Sequence, residues 1–378
     1  MSIKYKYDIT YVFGKGRKRK LESDENSGNE FFYGYPYFEK KQYHLNIIET
    51  DEPSSSVYLK KFFAILDNLL ARSTKLTFYM NALINKRTLS QIYNSKNIIT
   101  SNHGIGMTLF IFIFIMKTRK KINFIVILSG LFAMRKAKFI VRVFRKIIFT
   151  LFLYTVDHLI FTNKSEYEFA CEKYPRFLKK FVCLPFCIDT VFWKPENKIK
   201  FSQKKGILFI GNNGHRDFDL VVKIANKLEN IPFTFITNQI KDEEILSSNV
   251  SNITGDWNMG YLSDTEIKDY YENSKLVILP IKNTLVSSGQ SAGLQSASMG
   301  TPVMTTATVG FWDYEKYENF KNIIFVENNN LENWINSINK LYFDNDKLKS
   351  LSENGIKLIN NSYTLEKFDV ELEKFLIK

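Results

Sequence analysis

Leu276-Val-Ile-Leu279, followed by Ser287-Ser-Gly-Gln-Ser-Ala-Gly-Leu-Gln-Ser-Ala-Ser-Met-Gly-Thr-Pro-Val-Met-Thr-Thr306, decides the fold class of this chain. Four apolar residues without alternation read as a strand buried on both faces, the signature of a parallel sheet. A hydroxyl-rich, small-residue turn then runs into a helix that Gly300 ends, and Pro302 opens a second short strand. A helix beginning Ser-Gly-Gln-Ser offers free backbone N–H groups, hydroxyls and an amide to an anion. In open α/β sheets ligands bind beyond the carboxyl ends of the strands, so the stretch reads as a phosphate site.

The same alternation extends in both directions. Expected strands in the first half are 7–13, 43–49, 97–101, 123–128, 158–162 and 180–184. Those in the second half are 206–210, 233–237, 252–254, 276–279, 303–306 and 323–326. Helical patterns lie between them, at 56–70, 107–117, 137–154, 166–174, 218–228, 264–273, 293–299, 331–343 and 346–361. Strands alternating with helices imply parallel sheets covered on both faces. The fold class is α/β, with two Rossmann-like doubly wound domains facing a cleft. The polar, proline-containing segment from Trp193 to Gln203 divides 1–194 from 195–361, and 362–378 is expected to return as a helix onto the first domain. Residues 15–30, rich in charge, Gly, Ser and Asn, are expected to form a mobile loop.

The chain has 378 residues and a net charge of +13, which is unevenly distributed. No acidic residue lies between Asp67 and Asp157, a segment with fifteen Lys and Arg. Within it Arg135, Lys138, Arg142, Arg145 and Lys146 share one side of an expected helix, interleaved with Phe139, Ile140, Val143, Phe144, Ile147 and Ile148. Such a stripe is either a solvated face over a core or a contact with anionic lipid headgroups, the expectation adopted here. No zinc finger, basic zipper or aromatic RNA-binding signature accompanies it, so nucleic acid is not an expected partner. Three cysteines (Cys171, Cys183, Cys187) form neither an even framework nor a metal spacing, and four scattered histidines make no metal site. No signal peptide follows Met1, and the uncharged apolar runs are shorter than the roughly 20 residues a spanning helix needs. A cytoplasmic protein, peripheral on the inner face of the membrane, is expected.

The second half opens Ile207-Leu-Phe-Ile-Gly-Asn-Asn-Gly-His-Arg-Asp-Phe-Asp219: a strand, a glycine turn and a helix start. Arg216, just past the strand, presents a planar fork of donors that matches phosphate oxygens. His215 beside it reads as a loop residue. Gly211 and Asn212 line the turn, and Ser288, Gly289, Gln290 and Ser291 line the opposing loop. In the first half, Thr100-Ser-Asn-His-Gly-Ile-Gly-Met-Thr108 opens an apolar helix, with Gly104 and Gly106 allowing close approach. His103 there is a candidate catalytic base, and its competing role is that of a loop residue. Ser129, Gly14, Gly310 and Asp313 follow strands and are candidate donor or acceptor contacts.

The order of motifs in the second half resembles glycosyltransferase family 4 (glycosyl transferases group 1), of GT-B fold. The matching phrases are Phe209-Ile-Gly211 with Arg216-Asp217, Thr254-Gly-Asp-Trp-Asn-Met-Gly260 and Leu262-Ser-Asp-Thr-Glu-Ile267. Tyr270 to Pro280, the Ser-Gly-Gln-Ser stretch and Met299-Gly-Thr-Pro-Val303 follow them. The resemblance covers about 150 residues, joined by the linker phrase Pro185 to Phe192. It implies a nucleotide-sugar donor whose diphosphate meets Arg216, which is therefore placed with His103 among the catalytic residues. Two glutamates eight apart are usual in the family; here Ser287 and Gln295 stand in their places. Gln295 can still hydrogen-bond ribose hydroxyls, and Gln290 and Ser291 can replace the lost sugar contact.

The expected function is transfer of a sugar from a nucleotide-sugar donor to a lipid-linked or cell-surface glycan acceptor, without cofactor or metal. Arg216 and helix N-termini would neutralise the leaving diphosphate. Two other functions fit the same fold. A non-catalytic nucleotide-sugar-binding module is consistent with the missing glutamates. A sugar-nucleotide epimerase would need more acid–base residues than the motifs supply.

Overall fold

A computed structural model describes residues 5–23, 26–51, 57–128, 130–133, 137–196, 199–255 and 262–377. The chain forms two compact units. One comprises Met1–Glu25, Phe31–Leu184 and Phe368–Lys378; the other comprises Asn26–Glu30 and Pro185–Lys367.

The first unit is built on β1 (Tyr7–Phe13), β2 (Leu45–Glu49), β3 (Ser95–Thr100), β4 (Asn123–Leu128), β5 (His158–Phe161) and β6 (Phe181–Cys183). Their order is β2-β1-β3-β4-β5-β6, all parallel. All six residues of β4 are buried, as expected of a strand covered on both faces. The order reverses between β1 and β3, whose carboxyl ends lead to Gly14 and to the helix His103–Lys117. The last residues of the chain lie against this sheet. Asn97 and Asn123 donate from their amides to the carbonyls of Ile377 and Phe375, and Glu373 accepts from Tyr37, Lys41 and Tyr43.

The second unit contains β7 (Ile207–Ile210), β8 (Phe233–Ile236), β9 (Val250–Ile253), β10 (Leu276–Leu279), β11 (Val303–Thr306) and β12 (Ile324–Val326). The order β12-β11-β10-β7-β8-β9 is again wholly parallel and reverses between β7 and β10. Its core packs Ile224, Ile278, Met304, Trp334, Ile338 and Leu348 between sheet and helices. The α/β class with two six-stranded parallel sheets is thus as the alternation implies.

Several helices escaped the sequence pattern. Arg17–Ser23 is helical where a mobile loop is expected, and Tyr35–Lys40, Met80–Leu83 and Lys86–Tyr93 add short helices. The Arg17–Ser23 helix shows no apolar period, but the Glu49 carboxylate accepts from the Lys18 amide in its first turn, a tertiary cap. Residues Ser27, Gly28 and Glu30 are buried, and Gly28, Asn29 and Glu30 bond to partners more than 150 residues away in sequence. The helix expected at 293–299 runs Gln290–Ser298, because Gly289 adopts a left-handed φ of 81° at its N-cap.

Candidate functional site

The second unit's topological switch is where the sequence places its phosphate loops, and backbone bonds lock the two loops together. The Asp217 amide donates to the Pro280 carbonyl, the Lys282 amide to the His215 carbonyl, and Arg216 bridges Ile281. Arg216 is thereby fixed at the carboxyl ends of β7 and β10. Its side chain folds over Gly211, whose φ is 124°; a Cβ there would stand 2.4 Å from Nη2. Only glycine accommodates both that backbone and that neighbour.

The guanidinium is 5% exposed and lies 5.7 Å from the Phe209 ring centroid. Nε and Nη1 have no hydrogen-bond partner. Burial pulls its pKa down to about 10, so it is charged at neutral pH. A buried, unpartnered cation is costly unless an anion completes it. Nη1 reaches toward the N-terminus of the helix Gln290–Ser298, 3.8 Å from where a Cβ on Gly289 would stand. The first amides of that helix have no intrahelical acceptor. The Ser288 hydroxyl, also buried, has no partner either. Arg216, Gly289, Ser288 and the first helical turn therefore form one anion-directed group, with Gln290 buried and Ser291 half-buried on the same turn.

Other expected contacts are engaged inside the protein. Asn212 donates to the Gly255 carbonyl and accepts from the Thr237 hydroxyl and the Asn238 amide, tying the ends of β7, β8 and β9 together. The Ser287 hydroxyl donates to the Gly310 carbonyl at 2.8 Å. Gly310 packs so closely that a Cβ would stand 2.4 Å from the Leu285 carbonyl carbon. Asp313 is buried and accepts from the Tyr363 hydroxyl at 3.1 Å.

Gln295 is sandwiched. Its Oε1 accepts from the Tyr271 hydroxyl at 3.3 Å, and its Nε2 donates to Glu30 Oε1 at 2.7 Å. Trp193 Nε1 donates to the same Glu30 oxygen at 2.9 Å. Glu30 is 2% exposed, its Oε2 is unpartnered, and burial raises its pKa against the opposing pull of Gln295 and Trp193. Sequence reasoning missed Glu30 and Trp193. Glu30 lies in a charged segment without periodicity, 265 residues from its partner, and no local signal marks it.

In the first unit, the Asn102 side chain caps the helix His103–Lys117 by accepting from the Ile105 amide. His103 starts that helix with a buried, unpartnered Nδ1, and burial drives its pKa to about 4. Gly104 and Gly106 serve packing: a Cβ would stand 2.6 Å from Tyr79 and 2.9 Å from Val126, respectively. Gly14 has open space around it. Lys138, Arg142 and Lys146 are exposed, and Arg145 is half-buried. Ser129 and Arg135 lie outside the described residues. Among the described residues, no group of three or more His, Cys, Asp or Glu is placed to hold a metal ion.

No protein family and no curated protein matches the chain in sequence. Solved structures do match in shape. A glycosyltransferase from Rickettsia africae aligns with a TM-score of 0.64 over 98% of both chains at 13% identity. Sucrose-phosphate synthase from Thermosynechococcus elongatus aligns at 0.68 over 97% of this chain and 98% of its own, at 11% identity. HepE of Anabaena, in complex with UDP and glucose, aligns at 0.66 over 98% and 99%, at 10% identity. At these identities the likeness shows the fold, which is that of GT-B glycosyltransferases.

Proposed function

We propose that the protein is a nucleotide-sugar-dependent glycosyltransferase that acts on a lipid-linked or cell-surface glycan acceptor. The observation that carries this reading is Arg216: a buried guanidinium with two unpartnered nitrogens, set at a sheet's switch point against a helix N-terminus. Structures of the same fold include complexes with UDP and with UDP-glucose. The donor's diphosphate lies between Arg216 and the first turn of Gln290–Ser298, with Ser288, Gly289 and Ser291 beside it; Gln295, whose amide is taken up by Tyr271 and Glu30, does not carry the expected ribose contact.

Transfer breaks the bond between the anomeric carbon and the diphosphate oxygen and forms one to an acceptor oxygen. Arg216 and the helix amides stabilise the charge that develops on the leaving diphosphate. They supply in protein form what a metal supplies elsewhere, so we propose a metal-independent hexosyltransferase. The first unit handles the acceptor, with Gly14, Gly104 and Ser129 as candidate contacts. His103 is the candidate for the acceptor's proton; the burial that keeps it neutral and holds its pKa near 4 also weakens it as a base. The basic residues of Phe139–Thr155 hold the protein on the inner face of an anionic membrane, where such acceptors for surface polysaccharides are assembled. Incubation of the purified chain with a panel of nucleotide sugars tests the reading: release of nucleoside diphosphate that persists in EDTA supports it. Tight nucleotide binding without turnover would leave a binding module in its place.

A further inference from the structure

The largest anomaly in the first unit is apolar surface. Exposed large hydrophobic residues concentrate on three helices, Val57–Thr74, His103–Lys117 and Phe139–Thr155, which pack side by side. On Val57–Thr74 the exposed residues Tyr58, Phe62, Ile65 and Leu69 are spaced 4, 3 and 4 apart, a single stripe. On Phe139–Thr155, Ile140, Phe144, Ile147, Leu151 and Tyr154 repeat at 4, 3, 4 and 3, and this stripe also faces solvent. Ile140 is 78% exposed and Tyr58 87%. Phe114 and Ile115 of His103–Lys117 extend the surface. The sequence suggests that the apolar residues of Phe139–Thr155 surround a basic stripe over a core. Instead only Phe149, Phe152 and Leu153 of its large apolar side chains are buried, at its C-terminal end. An amphipathic helix ordinarily turns such a stripe inward; an outward stripe of this size marks a docking surface.

Charge selects the occupant. Lys60, Lys61, Arg142 and Lys146 are exposed on the same helices, with Arg142 and Lys146 on the side of their helix away from the apolar stripe. The two acids that bound this segment are engaged. Asp67 accepts the amides of Met80 and Asn81, and Asp157 bridges Lys117 and the Phe124 amide. A depression lined by Lys117, Arg119, Lys120 and Lys121, with Asp157 paired to Lys117, adjoins the ends of two of the helices and is basic on balance. Apolar stripe on one side and cations on the other is the pattern of a helix lying in the plane of an anionic bilayer. No helix of the described residues is long and apolar enough to cross a membrane, which leaves an in-plane position for these. A second copy of the chain is disfavoured, because like-charged rims would meet.

We infer that Val57–Thr74 and Phe139–Thr155 form an insertion surface whose apolar stripes enter the acyl region of an anionic leaflet. This deepens the membrane part of the function proposed above, from headgroup adsorption to hydrocarbon insertion. The test uses the full chain and vesicles of phosphatidylcholine with or without phosphatidylglycerol. Ile140→Trp provides a reporter at an exposed position. The emission it adds, read as the difference from the natural chain with its four tryptophans, shifts to the blue on anionic vesicles and is quenched by acyl-chain-brominated phosphatidylcholine. Binding persists at about 0.5 M NaCl, where adsorption by charge alone is screened. The double substitution Phe62→Ser/Phe144→Ser lowers the vesicle partition coefficient at least tenfold, while circular dichroism and nucleotide binding stay unchanged. Binding that vanishes in salt, with no quenching, would overturn insertion and leave headgroup adsorption standing. No flotation on anionic vesicles would overturn both. A blue shift that depends on protein concentration and not on vesicles would assign the face to a second copy and overturn the inference.

Discussion

Arg216 and Gly211 act as one device at the residue scale. The glycine's backbone and missing Cβ admit the guanidinium, and the guanidinium has no internal anion to satisfy it. Replacing Arg216 with Met removes a buried unpaired charge. The unliganded protein should therefore melt at the same or a higher temperature, while affinity for a nucleoside diphosphate falls by about 10- to 100-fold, the weight of a charge-assisted hydrogen bond. Calorimetric titration alongside thermal melting checks both halves. Gly211→Ala strains a φ of 124° and pushes on Arg216. It should cost about 1–3 kcal/mol in a urea titration and weaken the same ligand. Arg216 was legible because a strand, a glycine turn and an arginine are contiguous. Glu30 was not, since its significance arises only when folding brings Gln295 and Trp193 to it. Glu30→Ala leaves two buried donors without an acceptor and should destabilise by about 1–3 kcal/mol in the same assay.

Among the elements, helix ends matter most. The Gln290–Ser298 helix starts at a left-handed Gly289, earlier than its apolar content suggests, and this places the hydroxyl-rich turn within the helical amides. The His103–Lys117 helix begins with a histidine whose pKa is depressed to about 4 by burial. Its unfolded value is about 6.5, so between these values the unfolded chain binds the proton more readily. The contribution of His103 to stability is complete above pH 6.5 and is lost as pH falls toward 4. Urea titrations at pH 7 and pH 5 should show a larger loss for the natural chain than for His103→Gln. Equal losses would remove the buried histidine from the acid sensitivity of this unit. Strand positions were readable because buried parallel strands are uninterrupted apolar runs, as in Phe124–Leu128. The short helices Arg17–Ser23 and Tyr35–Lys40 were not, since tertiary contacts stabilise them in place of an apolar period.

The whole molecule has two parallel sheets, each reversing strand order once, and each reversal receives the loops that the sequence motifs mark. In the second unit the switch point holds a buried cation and a helix N-terminus; in the first it holds Gly14 and the His103 helix. The alternation of strands and helices made this architecture legible, whereas the exposed apolar stripes were hidden, because periodicity alone does not say which way a helix faces. On the function proposed above, the β7–β10 switch point binds the diphosphate of a sugar nucleotide. The most direct measurement is calorimetric titration of the full chain with UDP, GDP and ADP, each against its nucleoside, repeated with Arg216→Met. At least one diphosphate should bind while its nucleoside binds far more weakly, and the substitution should remove most of this difference. Equal affinity for diphosphate and nucleoside, or a diphosphate affinity untouched by Arg216→Met, would contradict it.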